Sequence, residues 1–298
     1  MRLNHRQFIK TLAPVVGLVT LLASGTASSL TLPYDSNIRI NFSGWNESTT
    51  SYGASCGAIN APDFAACVAA ATTLPRDAYG DSTWGVARIT TMTANGNTFY
   101  SDPVGTGEHF SAFFYSLNDG VVVLGGGATS TYSYNGILQV WSNIGPDPIV
   151  GAPTPAGRTG ATTYPAVQGG TLVLDVLFAP GADATSPFST LNGAFINFNL
   201  GGGSASLFDI VGGTWAPYFV NSFVPGYDGG YHALEAEIGY RCGGAALNVE
   251  CNPANTNPAV MSLAIDGSFF GKTVPEPSTL LLMVPGLLLL ARRHRSKA

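Results

Sequence analysis

The chain has 298 residues, of which 45% are hydrophobic and only 10% charged, with 37 glycines and 19 prolines. Abundant aromatic and β-branched residues exclude a disordered low-complexity chain, and a net charge of −5 argues against a nucleic-acid-binding surface. Between Ser28 and Val274 six basic residues meet 17 acidic ones, about −11, so seven of the 13 basic residues crowd into the two ends.

At the N-terminal end Arg2, Arg6 and Lys10 precede an apolar stretch, 11–23, and then the small residues Ser24, Gly25, Thr26, Ala27 and Ser28. This is the order of a secretory signal peptide, 1–27, with cleavage expected after Ala27. No cysteine follows the apolar stretch, so lipid attachment is not expected there. Export makes disulfides the natural reading of Cys56, Cys67, Cys242 and Cys251. Four cysteines allow three connectivities. Cys56–Cys67 and Cys242–Cys251 are favoured because they enclose only ten and eight residues, and short loops close at the lowest entropic cost. A four-thiolate zinc site lacks its tight C-x₂₋₄-C spacing.

The body, 28–273, reads as one extracellular domain dominated by strands. Alternation marks 38–42 and 171–178, with further strands at 194–200, 231–240 and 260–265. Turn chemistry predicts three hairpins. Asn95-Gly96 joins 84–93 to 98–101, Asn118-Asp119-Gly120 joins 110–117 to 121–124, and Asn135-Gly136 joins 131–134 to 137–141. A helix is expected over 62–72, opened by Pro62 and carried by an alanine-rich run. The proline- and glycine-rich stretch 145–165 is either a long loop or a boundary between two halves, with the loop the favoured reading. Many short strands without strand–helix alternation predict a mainly β fold: an antiparallel β-sandwich, jelly-roll-like or barrel-like, with one short helix.

Candidates for chemistry are few. Gly53-Ala54-Ser55-Cys56-Gly57 matches the G-x-S-x-G nucleophile elbow, but the preceding segment is polar and the helix starts too late, so a small-residue loop is the better reading. The body has two histidines, His109 and His232. Glu108 and His109 are neighbours on a strand and point to opposite faces; Glu235 and Glu237 share a face that excludes His232. No calcium loop occurs, since Asp119, Asp228 and Asp266 each precede glycine in ordinary turn fashion. The loop 226–232 sets Tyr227 and Tyr231 beside Asp228 and His232, a composition able to stack on sugars. Nothing marks a nucleotide, haem or flavin site, and no cofactor or metal is expected.

The C-terminal segment, 274–298, carries the most specific signal. Pro275-Glu276-Pro277 comes first, then an apolar run, 280–291, broken only by Pro285-Gly286, then Arg292, Arg293, Arg295 and Lys297. The prolines hold the motif extended. The apolar run is short of the roughly 20 residues needed to span a bilayer, and the basic cluster is a cytoplasmic stop by the positive-inside rule. This tail resembles that of the PEP-CTERM family of exported bacterial proteins. The resemblance implies a hydrophobic sorting helix, an exosortase-type processing protease as partner, a Gram-negative cell, and a precursor held transiently in the inner membrane. More patchily, 84–89 and 107–115 are similar to segments of flocculation-associated members, which implies a polysaccharide partner at the cell surface or in the matrix. The expectation is an exported, non-enzymatic surface or matrix protein that does not bind nucleic acid. A carbohydrate-binding module and a secreted hydrolase, tested at Ser55 and His232, are the alternatives.

Overall fold

The computed structural model describes residues 30–48, 83–125, 128–149, 158–185, 187–197, 201–241 and 261–275. The principal strands are β1 (Asn37–Ser48), β2 (Thr83–Ala94), β3 (Asn97–Ser101), β4 (Thr106–Gly125), β5 (Ala128–Pro146), β6 (Thr171–Ala179), β7 (Leu191–Asn197) and β8 (Gly201–Gly212). After the short β9 (Val224–Pro225) and β10 (Tyr231–His232) come β11 (Leu234–Arg241) and β12 (Met261–Lys272). A four-residue helix, α1 (Pro165–Gln168), precedes β6.

The fold is mainly β and antiparallel, as expected, but the sheet closes on itself. Eight strands follow one another in the order β1–β12–β11–β8–β6–β5–β4–β2, and β2 pairs again with β1. Of the expected forms this is the barrel-like one, and the expected sandwich or jelly roll is corrected: the architecture is an eight-stranded barrel, whose closure leaves none of the eight ring strands at an open end of the sheet. The reason lies in strand length. Taken locally, Asn135-Gly136 and Asn118-Asp119-Gly120 are chain reversals, which divide two long strands into short ones suited to a sandwich. In the structure β4 runs 20 residues and β5 runs 19, pairing along their whole length. Long antiparallel strands accumulate the twist that barrel closure needs.

Only Asn95-Gly96 makes its expected hairpin, with φ of 49° and 84°. Asp119 and Val121 flank a register shift, so Gly120 is a bulge within β4. Asn135 and Gly136 also have positive φ, 62° and 111°, yet they bend β5 where it changes partner from β6 to β7. Thr190 seals that exchange, its Oγ1 donating to the Asn135 carbonyl at 2.6 Å. A side chain at Gly136 would meet Phe178 at 2.6 Å and Leu117 at 2.8 Å, so the site needs glycine for close approach as well as for φ.

The predicted strand 171–178 is β6, 38–42 lies within the longer β1, and 260–265 falls at the start of β12. The predicted 231–240 divides into β10 and β11, and 194–200 overlaps β7. β8 was not anticipated. The helix expected at 62–72 lies outside the described residues, as do Ser55 and all four cysteines.

Inward side chains fill the barrel, as eight strands allow. Ile40, Ile89, Met92, Phe110, Val176 and Phe208 are at most 2% exposed. Aromatic pairs tie neighbouring strands, with ring centroids 4.6 Å apart for Phe178–Phe208 (β6, β8) and 4.7 Å for Phe42–Phe269 (β1, β12). A second apolar cluster lies outside the barrel wall. Trp84, Val86, Phe113 and Tyr115 of β2 and β4 are roofed by Ile149, Tyr164 and Val167 from the β5–β6 connection. The stretch read as a long loop is therefore partly strand, ending β5 at Pro146, and partly this roof.

The two ends of the body are pinned together. Asn37 of β1 pairs with Lys272 of β12. Beside them the buried Thr273 hydroxyl accepts from the Ser36 amide (2.9 Å) and donates to the Pro33 carbonyl (2.7 Å). Val274 receives the Asp35 amide on its carbonyl and donates its own to Tyr218. Pro275, the next residue, is exposed.

Candidate functional site

The two body histidines are both buried, but in different settings. His109 is fully buried on the outer side of β4, under the β3–β4 loop. Its Nδ1 lies 3.0 Å from Asp102 Oδ1 and its Nε2 3.2 Å from the Gly105 carbonyl. Asp102 also meets Arg88 Nε at 3.5 Å and accepts the Tyr100 hydroxyl at 3.0 Å. Burial, and then the charge of Asp102, push the Tyr100 hydroxyl far above its ordinary pKa. Arg88 continues to Asp147 and the Ile149 carbonyl, which anchors the start of the roof. The cluster ties two surface segments, the β3–β4 loop and the start of the roof, to the barrel. As the strand alternation requires, Glu108 points the other way and accepts from Ser142 Oγ at 2.6 Å.

His232 is 4% exposed, with Nδ1 2.9 Å from Asp209 Oδ1 and Nε2 3.4 Å from Asp228 Oδ1. Asp209 is half exposed. The β9–β10 hairpin that carries Asp228 displays Tyr227 and Tyr231, 68% and 65% exposed, and the partly exposed Phe223. The spacing of Tyr227, Asp228, Tyr231 and His232 was legible in the sequence. Asp209 was not, because β8 begins with glycines. The apolar run at Leu207, Phe208, Ile210 and Val211 was the signal that could have located it.

Beside this hairpin lies an open groove of about 570 Å³ on the outer face of β7, β8, β11, β12 and β1. Strand register builds its floor. Asn192, Ala205, Glu237 and Ser268 form one transverse row across four strands, and Gly203, Gly239 and Asp266 form the row two residues along. Glycine and alanine keep the floor low, while Glu237, Asp266, Asn192 and Asp183 supply carboxylates and an amide. Arg39 at one side donates from Nε to Ser268 Oγ at 3.0 Å, and its guanidinium lies 5.2 Å from the centre of the Phe270 ring. Groove and hairpin touch: the Tyr227 amide donates to the Gly181 carbonyl at 3.0 Å, and the next two residues, Ala182 and Asp183, line the groove. Glu235 and Glu237 share this outer face, as expected. Burial, and then the charge of Glu237, raise the Glu235 carboxyl above its usual range.

Of the expected sorting motif, Pro275 is described; Glu276 and Pro277, and the expected basic stop cluster Arg292, Arg293 and Arg295, lie outside the described residues. Among the described residues no group of three or more His, Asp or Glu side chains is arranged to hold a metal ion, and no helix is long and apolar enough to cross a membrane. Set against known protein families, characterised proteins and solved structures, the chain matches none.

Proposed function

We propose that this chain is an exported surface or extracellular-matrix protein, sorted by an exosortase-type protease and acting by binding rather than by catalysis. The observation that carries the reading is the pinning of 33–36 against 272–274 at one end of the barrel. Both segments read as targeting signals then attach at the same pole, so the folded body stands clear while its tail is in the membrane. The backbone is anchored through Val274 and exposed at Pro275, which supports access of a protease to the neighbouring Glu276. The outer faces of β1, β11 and β12 carry Arg39, Asn41, Glu235, Glu237, Asp266 and Lys272. On these strands a polar outer face over an apolar interior suits a barrel in water, the reverse of a membrane-barrel pattern; on β2 and β4 the outward apolar residues are covered by the roof.

The test is Glu276→Gln, which keeps the extended backbone and removes the charge. It should leave full-length precursor in the inner membrane, while the wild-type mature C-terminus falls near 275–277 by mass spectrometry. An intact Ala298 on protein recovered outside the cell would sink the sorting reading.

A second reading, a carbohydrate-binding module, is favoured by the groove and its tyrosine-bearing hairpin. Planar polar groups beside exposed rings are the means by which sugars are held in water. Occupation of both His232 ring nitrogens by Asp209 and Asp228 supports binding over a hydrolase using that histidine as base.

A further inference from the structure

The acidic lining of the groove says which glycans it can hold, an inference that rests on the carbohydrate-binding reading. We propose that the face formed by the groove and the 224–232 hairpin binds an uncharged polysaccharide strand and discriminates against acidic ones. Three observations carry this independently of one another.

The first is shape. The groove is a trough across β7, β8, β11 and β12, open to solvent and floored by Gly203, Ala205 and Gly239. Where the floor carries nothing larger than the Ala205 methyl it admits the flat face of a sugar ring, and an open trough takes the middle of a chain as well as its end. The second is the rim. Tyr227 and Tyr231 expose about two thirds of their surface, on a hairpin bonded to Gly181 beside the groove wall. Exposed rings on a short, hydrogen-bonded hairpin offer contact area at small entropic cost.

The third is charge. Asp183, Glu237 and Asp266 line the groove, and Asp209 and Asp228 lie at the hairpin, against one cation among the described lining residues, Arg39. Arg39 is already engaged by Ser268 and by the Phe270 ring. Carboxylates accept hydrogen bonds from sugar hydroxyls, but they repel uronate, sulfate or phosphate groups across a partly desolvated site. The same atoms therefore attract one class of polymer and reject the other.

The test is affinity electrophoresis of the full-length protein in native gels, in a polyoxyethylene detergent without a sugar headgroup. Gels contain hydroxyethylcellulose, dextran or polygalacturonate. Retardation by at least one neutral polymer and none by polygalacturonate is expected. Tyr227→Ala with Tyr231→Ala should weaken the neutral binding about tenfold or more, with the unfolding midpoint unchanged. Glu237→Lys with Asp266→Lys should gain retardation by polygalacturonate. If no polymer retards the protein, the carbohydrate reading and this inference both fall. If polygalacturonate retards the wild type as strongly as the neutral polymers, only the charge selection falls. Neutral binding that survives the tyrosine double variant unchanged overturns the site assignment.

Discussion

The barrel has two outer faces that the chain treats in opposite ways. On β2 and β4 it turns Trp84, Val86, Phe113 and Tyr115 outward, then returns through the β5–β6 connection to cover them. On β8, β11 and β12 it turns outward Ala205, Gly203, Glu237, Gly239 and Asp266, and among the described residues these line an open groove. The first face is a second hydrophobic core, with Arg158 seated 4.9 Å above the Trp84 ring. The second is polar enough to need no cover and concave enough to receive a ligand. Each face has its histidine, and the settings match: His109 is locked away as a structural tie, whereas His232 is flanked by a half-exposed aspartate and exposed tyrosines. A buried histidine with two oxygen partners is thus not a functional signal by itself; what surrounds its partners decides.

If the roofed face is structural, damage there should cost the most stability. Phe113→Ala removes a fully buried ring that contacts Trp84, Tyr115 and Tyr164. It should destabilise the barrel by about 3–5 kcal/mol, read as a lower urea midpoint. Arg88→Ala should cost less, ~1–3 kcal/mol, because its side chain is 34% exposed and solvent screens part of the pairing with Asp102 and Asp147. Proteolysis should then cut within 147–170 while the barrel strands stay protected. Equal resistance in wild type and variant would mean that Arg88 does not hold the roof.

The open face should respond differently. Glu235 has a folded-state pKa raised by burial and by Glu237, so its charge opposes folding. Its favourable contribution is full below the unfolded carboxylate value and is lost as pH rises through the folded one. Glu235→Gln should therefore stabilise by a few tenths of a kcal/mol, ~0.5 at most, at neutral pH. The gain should vanish below about pH 4. Urea midpoints at both pH values check the sign. Smallest of all, Tyr227→Ala and Tyr231→Ala should each leave stability within about 0.5 kcal/mol, because the rings are exposed. A large loss would make the tyrosines structural.

Much of this contrast could be read from the sequence, and the exceptions have physical causes. Alternation placed β6 and part of β1, and the Asn95-Gly96 turn, because both are local signals. Asn135-Gly136 carries the same local signal, yet its use as a bend depends on where β6 ends and β7 begins, which is tertiary information. The roof was hidden because 145–165 has few apolar residues; Ile149 and Tyr164, which seal it together with Val167 just beyond, are widely spaced. The tyrosine loop was legible as composition, but its groove was not. That floor is assembled from single residues on four strands, and no segment of sequence contains it.

Hydrogen exchange of the full-length protein, with and without the neutral polymer that retards it, tests the two-face account most directly. Protection is predicted at 181–192, 226–232, 235–239 and 266–268, with none added at 84–88, 113–115 or 158–168. Added protection on the roofed face, with the open face unchanged, would contradict it.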